Sequence, residues 1–454
     1  MPGTASTKSD VPLGTSARAP SSTPTGTQLA TAFDGPLSRA KTSPLYFVAT
    51  LLVFAAMILL PLVYLGIIAA AGAGVGWYAV HATVMFEHVI PGRGILLVVV
   101  AYVGPIIAGA LLVMFMVVPL FWRSKKAPRP MWVDRSEQPL LFAYVDKLCD
   151  TMRAPRPVRI DLLASANASA HIDNGIFGLV SRRLVLSIGL PIAQSMDLRQ
   201  FTGVLAHELG HFTQGASMRF SYAVHRVNTW FIRLAYGRSG IDDVIDGMLM
   251  NEPHWAVALV GLLTKTVLGI ARLILKLLAL ISHALSMHLS RQAEFDADRQ
   301  AARIVGSEAM GQALEAIPFL DAASRLAVTR AQSGWVKRKL PDDLVTLTHA
   351  FSQQMPAATK DKLTAQILAR DARWFDTHPP LFRRIATLKK ANLPGVLKLD
   401  APSTCLFRDF DEVSKLTTIR VYQTILGQSL QPEHLVPTTV TAVEPKRKGV
   451  TSGK

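Results

Sequence analysis

Two long stretches without a single charge constrain this chain more than any other feature. Leu45 to Ala71 and Gly94 to Trp122 contain no Asp, Glu, Lys or Arg. Each exceeds the roughly 20 residues that an α-helix needs to cross the hydrocarbon layer of a bilayer. Helices buried in a soluble core are rarely so long and so free of charge. Residues 44–124 therefore read as a transmembrane hairpin. Composition agrees, since half of the 454 residues are hydrophobic and the mean hydropathy is positive, too apolar for an ordinary soluble protein.

The charges around the hairpin give it a direction. The connecting stretch holds only Glu87 and Arg93, whereas Arg39 and Lys41 precede the first span and Arg123, Lys125, Lys126 and Arg129 follow the second. The excess of Lys and Arg on both outer flanks places them in the cytoplasm. The formal net charge of +16 flanks and punctuates apolar segments and is not interleaved with aromatics. It points to anionic lipid, with no nucleic-acid partner expected. Cys149 and Cys405, the only cysteines, are far apart and form neither a metal motif nor a disulfide framework. A reduced, cytosol-facing location is compatible with them.

The remainder divides by pattern. Residues 1–43, rich in Ser, Thr, Pro and Gly, are expected to be a disordered arm. They are not a secretory signal, because the first apolar run begins near Leu45 and is too long for one. Residues 125–400 read as one α+β domain. In it, Glu137 to Arg153 is an amphipathic helix, Val158 to Leu163 and Arg183 to Ser187 are short strands, and Asn167, Ala168, Ser169, Ala170 and His171 form an edge strand between them. A helix follows over Met196 to Gln214. Another, over residues 219–236, carries Arg219, Arg226 and Arg233 seven apart on one stripe. Asp242 to Pro253 reads as a polar link. Residues 255–289 form a long apolar helix, yet Lys265, Arg272, Lys276 and His283 share one narrow stripe. That stripe faces a water-filled interior if these helices span the membrane, or the interface if they lie along it. Ser290 to Asn392 is helical and polar. Residues 401–430 are expected to be a helical extension and 431–454 a disordered basic tail.

The chemistry sits in His207-Glu208-Leu209-Gly210-His211. Histidines four apart project from one helix face and can grip one ion. Glu208 is placed to take a proton from a metal-bound water. The motif alone is weak, since two histidines and a glutamate also suit a plain polar helix face. A third ligand strengthens it. In Ser290-Arg291-Gln292-Ala293-Glu294-Phe295-Asp296-Ala297-Asp298, Glu294 and Asp298 stand four apart. Two imidazoles and a carboxylate make a catalytic zinc site with an open position, and Asp298 can accept from a ligand histidine. The alternative for this acidic pair is a solvated face. His171, His225, His254, His283, His288 and His349 read as ordinary surface or core residues.

His-Glu-Leu-Gly-His, two hydrophobic helices, then Glu-Phe-Asp-Ala-Asp resembles the HtpX-like membrane zinc metallopeptidases, a family that includes the CAAX prenyl endoproteases. Asn167-Ala168-Ser169-Ala170 is similar to that family's edge strand, and Thr377-His378-Pro379-Pro380 with Arg384 to its downstream His-Pro motif. The family's usual edge strand has an aromatic where Ser169 stands. The likeness covers roughly Leu45 to Leu388. It implies a mainly α membrane protein with a zincin-like (gluzincin) α+β catalytic domain and a small sheet, in a bacterial inner membrane and facing the cytoplasm. It implies one Zn2+ per chain on His207, His211 and Glu294, Glu208 as general base and Asp298 behind the ligands. His378 and Arg384 would hold the substrate or its oxyanion. Polypeptide substrate, from misfolded or membrane proteins, would pair along Asn167 to His171. A membrane adaptor that has lost turnover, or a peptidase narrowed to prenylated CAAX chains, is the alternative.

Overall fold

The computed structural model describes residues 28, 31–33, 44–87, 94–121, 130–173, 183–213, 216–237, 240–251, 255–368 and 378–438. Most of the expected N-terminal arm, Thr377 and residues 439–454 lie outside them.

Helices α1 (Pro44–His81) and α2 (Gly94–Phe121) run antiparallel. Tyrosine hydroxyls fasten them to each other's carbonyls: Tyr78 to Ala101 at 2.8 Å, Tyr102 to Ala79 at 2.7 Å and Tyr64 to Met116 at 2.8 Å. A phenol buried in apolar surroundings needs such an acceptor. Outward, the pair exposes Leu52, Leu62, Leu96, Leu97 and Phe121, a surface suited to hydrocarbon.

The sheet comes next, with β1 (Met131–Val133), helix α3 (Pro139–Met152), β2 (Arg159–Leu163), β3 (Ala168–Ile172) and β4 (Leu184–Gly189). Its order is β1-β2-β4-β3. Strands β2 and β4 are parallel, while β3 runs antiparallel to β4 and, among the described residues, has no partner on its other edge. Alternate residues Ile160, Leu162, Leu186 and Ile188 enter the main core, as the two-residue period of a strand requires. Asn167, read as part of the edge strand, lies in the bend just before it. Its N–H donates to Ser165 at 2.8 Å.

Helix α4 (Leu190–Ser195) leads to α5 (Leu198–Gly210). Asp197 caps α5, accepting from the Gln200 N–H at 2.8 Å. Helix α6 (Ala216–Tyr236) leaves the site and α8 (Trp255–Val305) returns to it. The stretch between, read as a polar link, is instead helix α7 (Gly240–Asn251). Its acids answer the charged stripe of α8: Asp242 meets Arg272 at 2.7 Å and Asp246 meets Lys265 at 2.9 Å. Lys276 lies over the Tyr236 ring, and His283 is buried. Part of the stripe thus meets protein, while Lys265 and Lys276 stay exposed. Helices α1, α2, α6 and α8 share a second core around Met57, Tyr64, Met116, Phe231 and Leu275.

Among the described residues three helices, α1, α2 and α8, are long and apolar enough to cross a membrane. Helix α8 has 51 residues, roughly 75 Å at 1.5 Å per residue, more than twice the hydrocarbon thickness. Its apolar first part packs in the bundle, and its last part carries Glu294 and Asp298.

Helices α9 (Ser307–Trp335), α10 (Leu344–Gln353), α11 (Ala357–Leu368), α12 (Leu381–Ala391) and α13 (Phe410–Leu426) complete the domain. The segment after α12 binds both helices that bear the candidate ligands. Val396 and Leu397 N–H donate to Ile304 O at the end of α8, and Ala401 O accepts from Leu198 N–H at the start of α5, each at 2.8 Å. Ser403, fully buried, shares its one hydroxyl proton between the Ala193 and Met196 carbonyls. The crossing requires Gly395, at φ +72°, because a Cβ there would collide with Gly306. Two stretches expected to lack structure contribute to the fold. Phe33 is buried against Tyr144, with ring centroids 5.2 Å apart. Leu435–Val436 (β6) pairs in parallel with Leu340–Pro341 (β5).

Candidate metal centre and active site

Helix α5 ends at Gly210, but His211 keeps helical dihedrals (φ −60°, ψ −19°), so its ring stays on the face of His207. The two ring centroids are 5.0 Å apart with planes at 84°. Glu294 reaches between them from α8. Its Oε2 is 3.5 Å from His207 Nε2, and its Oε1 is 3.6 Å from His211 Nε2.

Those separations test whether the three residues suit a metal. They are longer than a hydrogen bond. Two ligand atoms each about 2.1 Å from a tetrahedral zinc ion would be roughly 3.4 Å apart. The candidate ligand atoms of His207, His211 and Glu294 all lie within 4.8 Å of one another. Glu294 is buried besides, and a buried carboxylate needs cationic or donor partners around it. The residues fit the ion.

Behind the ligands stands a second layer of charge. Asp298 Oδ1 is 2.9 Å from His207 Nδ1, which directs the other nitrogen, Nε2, at Glu294. Arg384 from α12 clamps Asp298 with two donors, Nε to Oδ2 at 2.8 Å and Nη2 to Oδ1 at 2.6 Å. Its Nη1 lies 3.5 Å from Glu294 Oε2. The guanidinium was expected to hold substrate or an oxyanion. It is largely buried and engaged with the two acids. His378 Nδ1 sits 2.9 Å from Glu294 Oε2, with two-thirds of its side chain exposed.

Burial opposes charge on His207, but Asp298 and Glu294 outweigh it and push the imidazole up to about 9. Burial, then the neighbouring His207, pushes His211 down to about 4. Glu208, one residue on, is raised above the ordinary carboxylate range by burial, against the pull of His207 and of a hydrogen bond from the Ala170 N–H. A carboxylate held this way is a better proton acceptor than a solvated one. The Ala170 bond also ties the edge strand to the base. It is a backbone contact, so no side-chain pattern could have announced it.

The approach of the two ligand helices depends on Gly210. A Cβ there would stand 3.3 Å from Ala297 Cα and 3.5 Å from Ala297 Cβ. Gly210→Val is therefore expected to push α5 from α8 and weaken metal retention at least about tenfold, by analogy with the effect of disturbing groups that support ligands. Gly247→Val is the control, because a Cβ at Gly247 meets nothing within 4 Å. Competition with a chromophoric chelator measures both, and equal retention would contradict the role given to Gly210.

Every side chain singled out from sequence for metal or proton chemistry thus converges on one cleft. Of the strand, Ala170 meets Glu208 through its backbone, and Ser169 and His171 lie on the opposite face from Ala168 and Ala170. A family model described as peptidase family M48 matches residues 141–392. The chain is 24% identical over 224 residues to a protease HtpX homolog of Chlorobium phaeobacteroides, covering 48% of this chain and 59% of that protein. It is 26% identical over 209 residues to protease HtpX of Xanthomonas oryzae pv. oryzae, covering 46% and 59%. With protease HtpX of Acinetobacter baylyi it shares 26% over 211 residues, again 59% of the relative. The aligned part therefore spans less than two thirds of these relatives. No solved structure matches the chain.

Proposed function

This chain belongs to peptidase family M48, and from that premise we propose that it is a membrane-embedded zinc endopeptidase acting on polypeptides at the cytoplasmic face of a bacterial inner membrane. The observation that carries the reading is the meeting of His207, His211 and Glu294 from two helices, with Glu208 beside them.

In this reading α1 and α2 are a membrane-spanning hairpin. Helix α6 crosses the same layer, because it leaves the catalytic side after α5 and lies antiparallel to α8, with Asn228 accepting from Ser282 at 3.1 Å. The zinc held by His207, His211 and Glu294 supplies Lewis-acid polarisation of a carbonyl and acidifies a water. The protein does the rest. Strand β3 takes the substrate backbone onto its open edge. Such pairing recognises main chain more than side chain, which suits misfolded or membrane proteins. Glu208 accepts the proton of the attacking water and returns it to the leaving amine. Asp298, braced by Arg384, fixes the His207 ring. His378, exposed beside Glu294, donates a hydrogen bond to the substrate.

Digestion of casein and of a model membrane protein by the detergent-purified chain tests the proposal, alongside metal analysis. One zinc per chain is expected. Cleavage should stop with chelator and return with zinc. Cleavage by metal-free protein would refute the mechanism, and a zinc-loaded protein that cuts neither substrate would favour an adaptor.

A further inference from the structure

Helix α6 has two unlike faces. Val224, Asn228, Phe231 and Ala235 are buried against the bundle. The opposite face exposes His225, Arg226, Ile232, Arg233 and Tyr236. Elsewhere the bundle exposes leucines, among them Leu52, Leu96, Leu262 and Leu273. One flank of an otherwise apolar bundle is therefore basic.

Among the described residues, neither Arg226 nor Arg233 meets a carboxylate. On α7, Asp242 pairs with Arg272 and Asp246 with Lys265. An uncompensated guanidinium at membrane depth costs several kcal/mol on insertion scales, so a protein that keeps two of them on one stripe has an anionic group to meet. The top of the stripe reaches the catalytic cleft. His225 lies within the electrostatic reach of Glu294 and His378, and α6 begins at Ala216, shortly after His211.

We propose that this face of α6 is a docking strip for polypeptide segments bearing acidic side chains, which it guides from the membrane into the cleft. The inference rests on the peptidase reading and adds a charge preference to a β3 edge that has none. Helical spacing separates Arg226 and Arg233 by about 10 Å along α6, and α6 lies alongside α8. The two charges therefore stand at different depths. A chain running along the helix meets both, whereas a layer of lipid headgroups meets one. A second copy of the same face would repel it.

The test uses the full chain in phosphatidylcholine nanodiscs and two substrates with one cleavable sequence, flanked on the membrane side by Glu residues or by Gln. The acidic substrate should have the higher kcat/KM by about tenfold, the scale of one close charge pair, through a lower KM. Arg226→Gln with Arg233→Gln should treat the two alike, and the double Lys variant should restore the preference, which separates charge from folding. Binding to Glu208→Gln protein, read by fluorescence anisotropy, gives the same comparison without turnover. No preference in that binding overturns the strip. Preferential binding by a wild type that cleaves neither substrate supports the strip and refutes the peptidase reading. A preference unchanged in the Gln variants, or replaced by activation on adding phosphatidylglycerol, also overturns it, the latter in favour of lipid.

Discussion

Glu208→Gln should retain its metal and lose peptidase activity by about 10²–10⁴-fold, or roughly 3–5 kcal/mol of barrier. The amide keeps the shape of the carboxylate and can still accept from the Ala170 N–H, so strand and helix stay in place. It cannot accept a proton. Burial already disfavours the charged carboxylate, so a neutral isostere should leave the thermal midpoint unchanged or slightly higher. Loss of rate with metal content and stability intact separates a chemical role from a structural one. The check is kcat/KM on a fluorogenic peptide with metal content on the same preparation. A variant that cuts at the wild-type rate would remove Glu208 from the mechanism.

Glu294→Gln should lose the metal itself. Glu294 is the only anion among the three candidate ligands, and its oxygens sit between two imidazoles and near Arg384. An amide in its place gives the ion one weak neutral donor, while its NH2 group crowds the histidines. Affinity should fall by more than the 10–100-fold typical of groups behind the ligands. Asp298→Asn provides that smaller step. It halves the charge that Arg384 was paired with and loosens the choice of His207 tautomer. Dialysis against chelators of graded strength, followed by metal analysis, should rank wild type, Asp298→Asn and Glu294→Gln in that order. Full retention by Glu294→Gln would mean that the third ligand lies elsewhere.

Much of the site was legible because its signals are local. Four-residue spacing places His207 with His211 and Glu294 with Asp298, whatever the rest of the chain does. The edge strand was legible for the same reason, although Asn167 proved to belong to the preceding bend. Arg384 shows where this reasoning stops. Its type and motif suggested contact with substrate. Its partner, Asp298, lies 86 positions away, and no periodicity connects them. The stripe on α8 shows the same limit. Two of its four basic groups, Lys265 and Arg272, meet acids of a segment read as a link, which folds as α7.

The amino-acid sequence by itself determined the elements that repeat at short range: helices long and apolar enough to cross a membrane, the histidine and acid pairs at four-residue spacing, and the glutamate beside the first histidine. Backbone geometry alone converts such spacing into a shared face. The tertiary structure decided which faces meet. It joined the apolar helix and the Glu294 segment into one rod, set that rod against α5 at Gly210, and bound both with the segment from Val396 to Ser403. It also left Arg226 and Arg233 on one face of α6 without a carboxylate among the described residues. These outcomes depend on close packing between residues distant in the chain, which local pattern does not encode.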